Sequence, residues 1–202
     1  MTKTVDYYYS LVSPWTYLGG PRLDEMTRRA GAAVNYKPME LPKVFAVSGG
    51  LPLAKRAAQR QAYRLVELVR FRDRLGMKIN LHPEFFPASD HLAGRVVVAA
   101  TRTEGGDPGR LTDAMLAAVW AEDRNIADAG TLTAIADENE MDGKALLAAA
   151  ETDAVKAAYD ANTAEAIERG VFGAPSYIYN DELFWGQDRL EFLDRALAKD
   201  GG

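Results

Sequence analysis

Strand-forming sequence is confined to the two ends of this 202-residue chain, and that placement restricts the fold more than any other feature. Near the start, "TVDYYYS" (4–10) and "AAVNYKPMEL" (32–41) carry the β-branched and aromatic residues that suit a pleated, packed surface. Between them "SPWTYLGGPRLDEMTRRAG" (13–31) reads as a helix. Ser13 is its N-cap, Pro14 its first helical residue and Gly31 its stop. Gly19, Gly20 and Pro21 predict a kink or weak spot within it. Strand, helix and strand over about 40 residues predict a parallel pair with a crossover helix. Strand signals return only after Gly170. There "APSYIYNDELFWG" (174–186) makes two short runs meeting at Asn180-Asp181, a hairpin. "QDRLEFLDRALAK" (187–199) closes the pattern as an amphipathic helix, apolar at Leu190, Phe192, Leu193, Ala196 and Leu197.

Between the ends the periodicity is helical almost throughout. Residues 53–76 form a long amphipathic helix, basic on one face, and 89–105 and 107–124 follow, the latter capped by Asp107. Two later helices begin at Asp142 and Thr152. Alanine is frequent in this block, as suits close helix contact at little entropic cost. The order βαβ, helices, ββα predicts an α/β fold: a thioredoxin-like domain formed by residues 1–45 and 170–202, with 46–169 as an all-helical insertion.

Composition removes several functions. A net charge of −5 argues against a nucleic-acid partner, since phosphate neutralisation needs a basic surface. No apolar run approaches the roughly 20 residues that span a bilayer. "MTKTVDYYYS" lacks the pattern of a secretory signal, so a cytoplasmic protein is expected. There is no cysteine, which excludes disulfides, thiolate nucleophiles and iron–sulfur clusters held by this chain. His82 and His91 are the only imidazoles and form no spaced pair, so no metal is expected. Thiol chemistry here needs a thiol brought from outside.

Two segments carry a family resemblance. "YYYSLVSPWTYLGGPRL" and "GVFGAPSYIYNDELFWGQDRLEFL" resemble 2-hydroxychromene-2-carboxylate isomerases, glutathione-dependent relatives of kappa-class glutathione transferases on a DsbA-type fold. The resemblance implies that Ser13 is the active-site residue meeting the glutathione sulfur. The physics agrees, because a helix N-terminus favours an anion and lowers a thiol pKa. By themselves Ser13 and Pro14 read first as a plain helix cap, and the paired C-terminal motif is what favours the site.

The resemblance also implies a cis Ala174-Pro175 bond facing Ser13, with the Ala174 backbone docking the cysteinyl segment of glutathione. Pro175 alone reads as strand punctuation. Trp185, Gly186, Gln187 and Asp188 map onto the segment that holds the γ-glutamyl end; in isolation they read as a turn and an acidic first helical turn. Arg60, three before Tyr63, matches a family cation for the glycine carboxylate of glutathione or the carboxylate of the substrate. Lys43 and Lys55 are further candidates, although a basic stretch is most often a solvated face. Asp90 and His91 stand where relatives usually show an asparagine, and Trp15 can stack on an aromatic substrate.

The expected function is glutathione-dependent isomerisation of a chromene carboxylate to trans-o-hydroxybenzylidenepyruvate. Its partners are then glutathione and a small aromatic carboxylate, and the resemblance implies a homodimer. The alternatives are a kappa-like glutathione transferase and a noncatalytic peptide-binding thioredoxin-like module.

Overall fold

The computed structural model describes residues 2–199. In chain order its elements are β1 (Thr4–Tyr9), α1 (Pro14–Ala30), β2 (Ala33–Pro38), α2 (Leu41–Ser48) and α3 (Ala58–Leu75). They continue as α4 (His91–Ala100), α5 (Pro108–Trp120), α6 (Ala129–Glu138), α7 (Gly143–Ala150) and α8 (Asp153–Glu168). β3 (Ser176–Tyr179), β4 (Glu182–Trp185) and α9 (Leu190–Lys199) complete the fold. The sheet order is β2-β1-β3-β4. β1 pairs in parallel with β2, and β3 runs antiparallel to both β1 and β4. This is the thioredoxin-like architecture with a helical insertion.

Successive side chains of a strand point to opposite faces, and β1 buries both. Tyr7 and Tyr9 enter the main core, where Tyr7 stacks on Tyr177 of β3 at 5.1 Å between ring centroids. Tyr8 enters a smaller core on the other face with Met39, Val44, Ala166, Val171 and Ile178. A strand covered on both sides reads as an unbroken aromatic run, as "YYY" does. At the end of the sheet Asp6 gathers Lys37 at 3.2 Å and Arg169 at 2.8 Å, and Lys37 reaches Glu165 at 2.7 Å, tying α8 to the sheet.

α1 runs from Pro14 to Ala30 without interruption, with Pro21 inside it. Its two glycines serve packing. A Cβ on Gly19 would stand 3.0 Å from Cβ of Gln187, and one on Gly20 would stand 2.5 Å from Oδ1 of Asp113. The glycines therefore let α5 and the 187 segment lie close against α1, with Pro21 on the exposed side. Asp107, Asp142 and Thr152 each accept the expected capping bond, from Arg110, Ala145 and Val155 N–H respectively. Several boundaries differ from the pattern: β2 ends at Pro38, α4 at Ala100 and α5 at Trp120, each before the expected end. Residues 53–76 begin with a 3-10 turn at Leu53–Lys55 before α3, and 187–199 begin with a 3-10 turn at Gln187–Arg189 before α9. Among the described residues no helix is long and apolar enough to cross a membrane.

The insertion packs directly on the sheet domain. α5 lies against α1, and α4 against β2. Leu18 of α1 and Leu111, Met115 and Leu116 of α5 are wholly buried in one core. Burial of such side chains stabilises by about 1.5–3 kcal/mol each. That packing holds the loop before α1 against the loop before α4.

Candidate active site

The chain leaves β1 at Tyr9 and turns through residues 10–13 before α1 begins. One buried carboxylate holds that turn. Oδ2 of Asp90 accepts from Ser10 Oγ at 2.6 Å and from Leu11 N–H at 3.0 Å. Burial pushes the Asp90 carboxyl up, against the opposing pull of Ser10, His91 and the Leu11 N–H. Asp90 precedes α4 but makes no side-chain capping bond there, because its oxygen is given to the turn.

Ser13 is itself buried, at 7% exposure. Its Oγ accepts from Thr16 N–H at 3.3 Å, and its carbonyl accepts from Tyr17 N–H at 3.1 Å. Pro14 has no N–H, so Trp15 N–H is left as the unassigned donor of the first turn among the described bonds. The Ser13 hydroxyl donates to the Ala174 carbonyl at 3.4 Å, well beyond the usual O–H···O distance of about 2.7–2.8 Å. That proton is weakly held. Together with the Trp15 N–H and the helix dipole, it makes a place for an anion.

The Ala174-Pro175 bond is cis, and the Pro175 carbonyl accepts from Gly186 N–H at 2.9 Å. This bond joins the two C-terminal segments singled out in the sequence. Gly186 has φ +89°, a conformation that favours glycine. Trp185 is 41% exposed and packs on Phe172, also exposed, at 4.9 Å between ring centroids. Its indole also closes on Gly173, where a Cβ would meet Nε1 at 2.5 Å. Gln187 is buried, and Arg22 donates both to its side-chain oxygen and to its main-chain oxygen, the latter at 2.7 Å. Gln187 thus anchors the segment to α1, while Asp188 stays exposed beside Arg189.

The remaining predicted residues spread further. Trp15 is half-buried, edge-on to Phe71 of α3 at 5.9 Å. Tyr17 donates its hydroxyl to the Lys78 carbonyl at 2.6 Å. Lys43 is held by Glu40 and lies 3.6 Å from Asp160. His91 stands 3.5 Å from the same Glu40, a buried carboxylate that both side chains therefore share. Lys55 and Arg60 are exposed at the approach to α3 and in its first turn.

Sequence reasoning missed three residues. Ser10 shows no sequence signal for its bond to Asp90. Phe172 precedes the "GAPS" motif and shows itself only through Trp185. Arg64 reads in sequence as part of a basic, solvated helix face with Lys55, Arg56 and Arg60, yet it is half-buried on the α3 stripe of Leu68, Phe71 and Leu75, where a cation is out of place. A groove of about 430 Å³ lined by Tyr36, Lys37, Arg102 and Asn162, among others, lies elsewhere and includes none of the predicted residues. Among the described residues no three His, Asp or Glu side chains gather as a metal site.

The model of the DSBA-like thioredoxin domain matches residues 4–198. This chain belongs to that family. Within it, the chain is 29% identical over 199 residues to a 2-hydroxychromene-2-carboxylate isomerase of Sphingobium xenophagum, covering 98% of this chain and 99% of that protein. A kappa 1 glutathione S-transferase of Rattus norvegicus is 21% identical over 210 residues, covering 98% of this chain and 92% of that protein. Among solved structures, a 2-hydroxychromene-2-carboxylate isomerase superposes with a TM-score of 0.78 at 24% identity. That superposition covers 97% of this chain and 95% of the other. This member has Ser13 and Thr16 at the start of α1 and no cysteine anywhere in its sequence.

Proposed function

We propose that this chain is a glutathione-dependent isomerase that opens 2-hydroxychromene-2-carboxylate-type compounds to the trans benzylidenepyruvate. The observation that carries this reading is the Ser13 hydroxyl. It sits at the N-terminus of α1, loosely bonded to the Ala174 carbonyl, in a chain without a thiol of its own. The chemistry glutathione supplies when bound is reversible thiol addition, which frees a substrate double bond to rotate.

The residues present fit such a group. Ser13 donates its hydroxyl proton to the sulfur, and Trp15 N–H with the helix dipole favours the ionised thiol over the neutral one. The Ala174 backbone pairs with the cysteinyl segment. Asp188 accepts from the γ-glutamyl ammonium, and Arg60 is offered to a carboxylate. Ser13 acts as a hydrogen-bond donor and is not a covalent nucleophile. Trp15 borders the site as an apolar surface for the aromatic ring of the substrate. Orientation of two partners is the main acceleration a site of this kind offers. The same reading makes the protein a cytoplasmic homodimer that takes part in the breakdown of aromatic compounds.

Two measurements test it. Isothermal titration comes first: uptake of glutathione is expected, and its absence overturns the proposal in favour of a peptide-binding module. Absorbance of a chromene carboxylate then follows turnover. Full conversion with substoichiometric glutathione supports the isomerase, whereas consumption of one glutathione per product identifies a transferase.

A further inference from the structure

Arg64 is half-buried on the stripe of α3 that otherwise carries Leu68, Phe71 and Leu75. Its guanidinium carbon lies 5.4 Å from the Phe86 ring centroid and 5.5 Å from that of Trp120. These rings favour a cation electrostatically but accept no N–H bond in their plane. Arg95, Arg124 and Arg169, also partly buried, each reach a carboxylate at 2.6–2.8 Å. Among the described residues none pairs with Arg64. Burial and the neighbouring Arg56 pull its pKa down to about 10, which leaves it charged at neutral pH.

Arg64 Nη2 is shielded from solvent with no hydrogen-bond partner, and so is Nε1 of Trp120, a residue 0% exposed. A buried donor left unsatisfied costs about 1–3 kcal/mol. An aryl carboxylate answers the unpaired charge, supplying acceptor oxygens to the guanidinium and a ring that packs against Phe86. Arg64 and Phe86 keep partial exposure, so the contact lies at a rim and not in a sealed core. One short loop joins it to the Ser13 turn. Phe86 is four residues before Asp90, at most about 14 Å of chain, and Asp90 holds Ser10 at 2.6 Å. The other cations of the region are less suited: Lys43 is taken by Glu40, while Lys55 and Arg60 are exposed.

We propose that Arg64 receives the carboxylate of the substrate, with Phe86 beside its aromatic body. This rests on the isomerase reading for the identity of the substrate, but not for the recognition of an aryl carboxylate.

Cinnamate and cinnamamide, unreactive probes of one shape, separate charge recognition from ring burial in isothermal titration. Wild-type protein is expected to bind cinnamate about tenfold or more tightly than the amide. Arg64→Met is expected to bind the two equally while taking up glutathione as wild type does. Arg64→Lys is expected to recover part of the preference, since it keeps the charge without the planar fork. Equal affinities in wild type, no uptake of either probe, or a preference that survives Arg64→Met overturns the proposal. Should Arg64→Met fail to fold, Arg64→Gln serves instead: it removes the charge while keeping polar N–H donors, and an unchanged cinnamate preference counts against the site. Wild type that binds cinnamate selectively yet ignores glutathione would retain this site and defeat the glutathione-dependent reading alone.

Discussion

Replacing Asp90 by alanine removes the one acceptor of two buried donors, Ser10 Oγ at 2.6 Å and Leu11 N–H at 3.0 Å. A hydrogen bond to a charged group contributes about 1.5–3 kcal/mol, and a buried N–H left without a partner costs about 1–3 kcal/mol. Part of this is offset because alanine no longer has to bury a carboxylate. The expected loss is about 2–4 kcal/mol, which for a chain of this size lowers Tm by roughly 5–15 °C. Urea denaturation followed by circular dichroism reads it as a lower midpoint at unchanged slope. Asp90→Asn keeps an oxygen able to accept both bonds and is expected to stay within about 1 kcal/mol of wild type at pH 7. The pH dependence has a definite sign. Burial raises the folded-state pKa of Asp90 above its unfolded value. Its contribution is therefore full below the unfolded carboxylate value of about 3.9 and is lost as pH rises through the folded pKa. Wild type must gain on Asp90→Asn as the pH is lowered from 7 toward 4. An alanine variant within 1 kcal/mol of wild type, or a wild type that loses ground to Asp90→Asn in acid, would refute the reasoning.

Ser13→Ala is expected to leave glutathione bound while raising the pKa of its thiol by about 1–2 units, the worth of one hydrogen bond to a charged sulfur. Thiolate absorbance against pH measures it, and an unchanged pH–rate profile removes Ser13 from the mechanism. Asp188→Ala weakens glutathione binding about tenfold or more with little change in Tm, since Asp188 is exposed; an unaltered affinity in titration places the γ-glutamyl site elsewhere. Gly94→Ala is expected to destabilise by about 1–2 kcal/mol although alanine is the better helix former, because its Cβ would stand 2.5 Å from the buried Tyr159 ring. A more stable variant in urea titration shows that the ring moves freely.

The two ends of the chain were legible because strand and cap signals are local. "TVDYYYS" became β1, the Asn180-Asp181 turn formed its hairpin with both residues at positive φ, and Ser13 caps α1 through Thr16 N–H. The resemblance to chromene carboxylate isomerases, carried by two short motifs, is matched by a curated relative aligned over nearly the whole chain. Gln187 shows the limit of such reading: nothing local in sequence signals that Arg22, 165 residues away, donates to its side chain.

Periodicity, capping residues and the lack of cysteine determined the order of elements, the thioredoxin-like class and the exclusion of self-contained thiol chemistry, because each is read from local sequence or from composition. Packing alone decided that Asp90 holds the turn before Ser13, that Gly19 and Gly20 are close-approach points in an unbroken helix, and that Arg64 meets Trp120 without a counter-charge. Those partners lie tens of residues apart, and burial creates their energetic demands only once the insertion has folded onto the sheet.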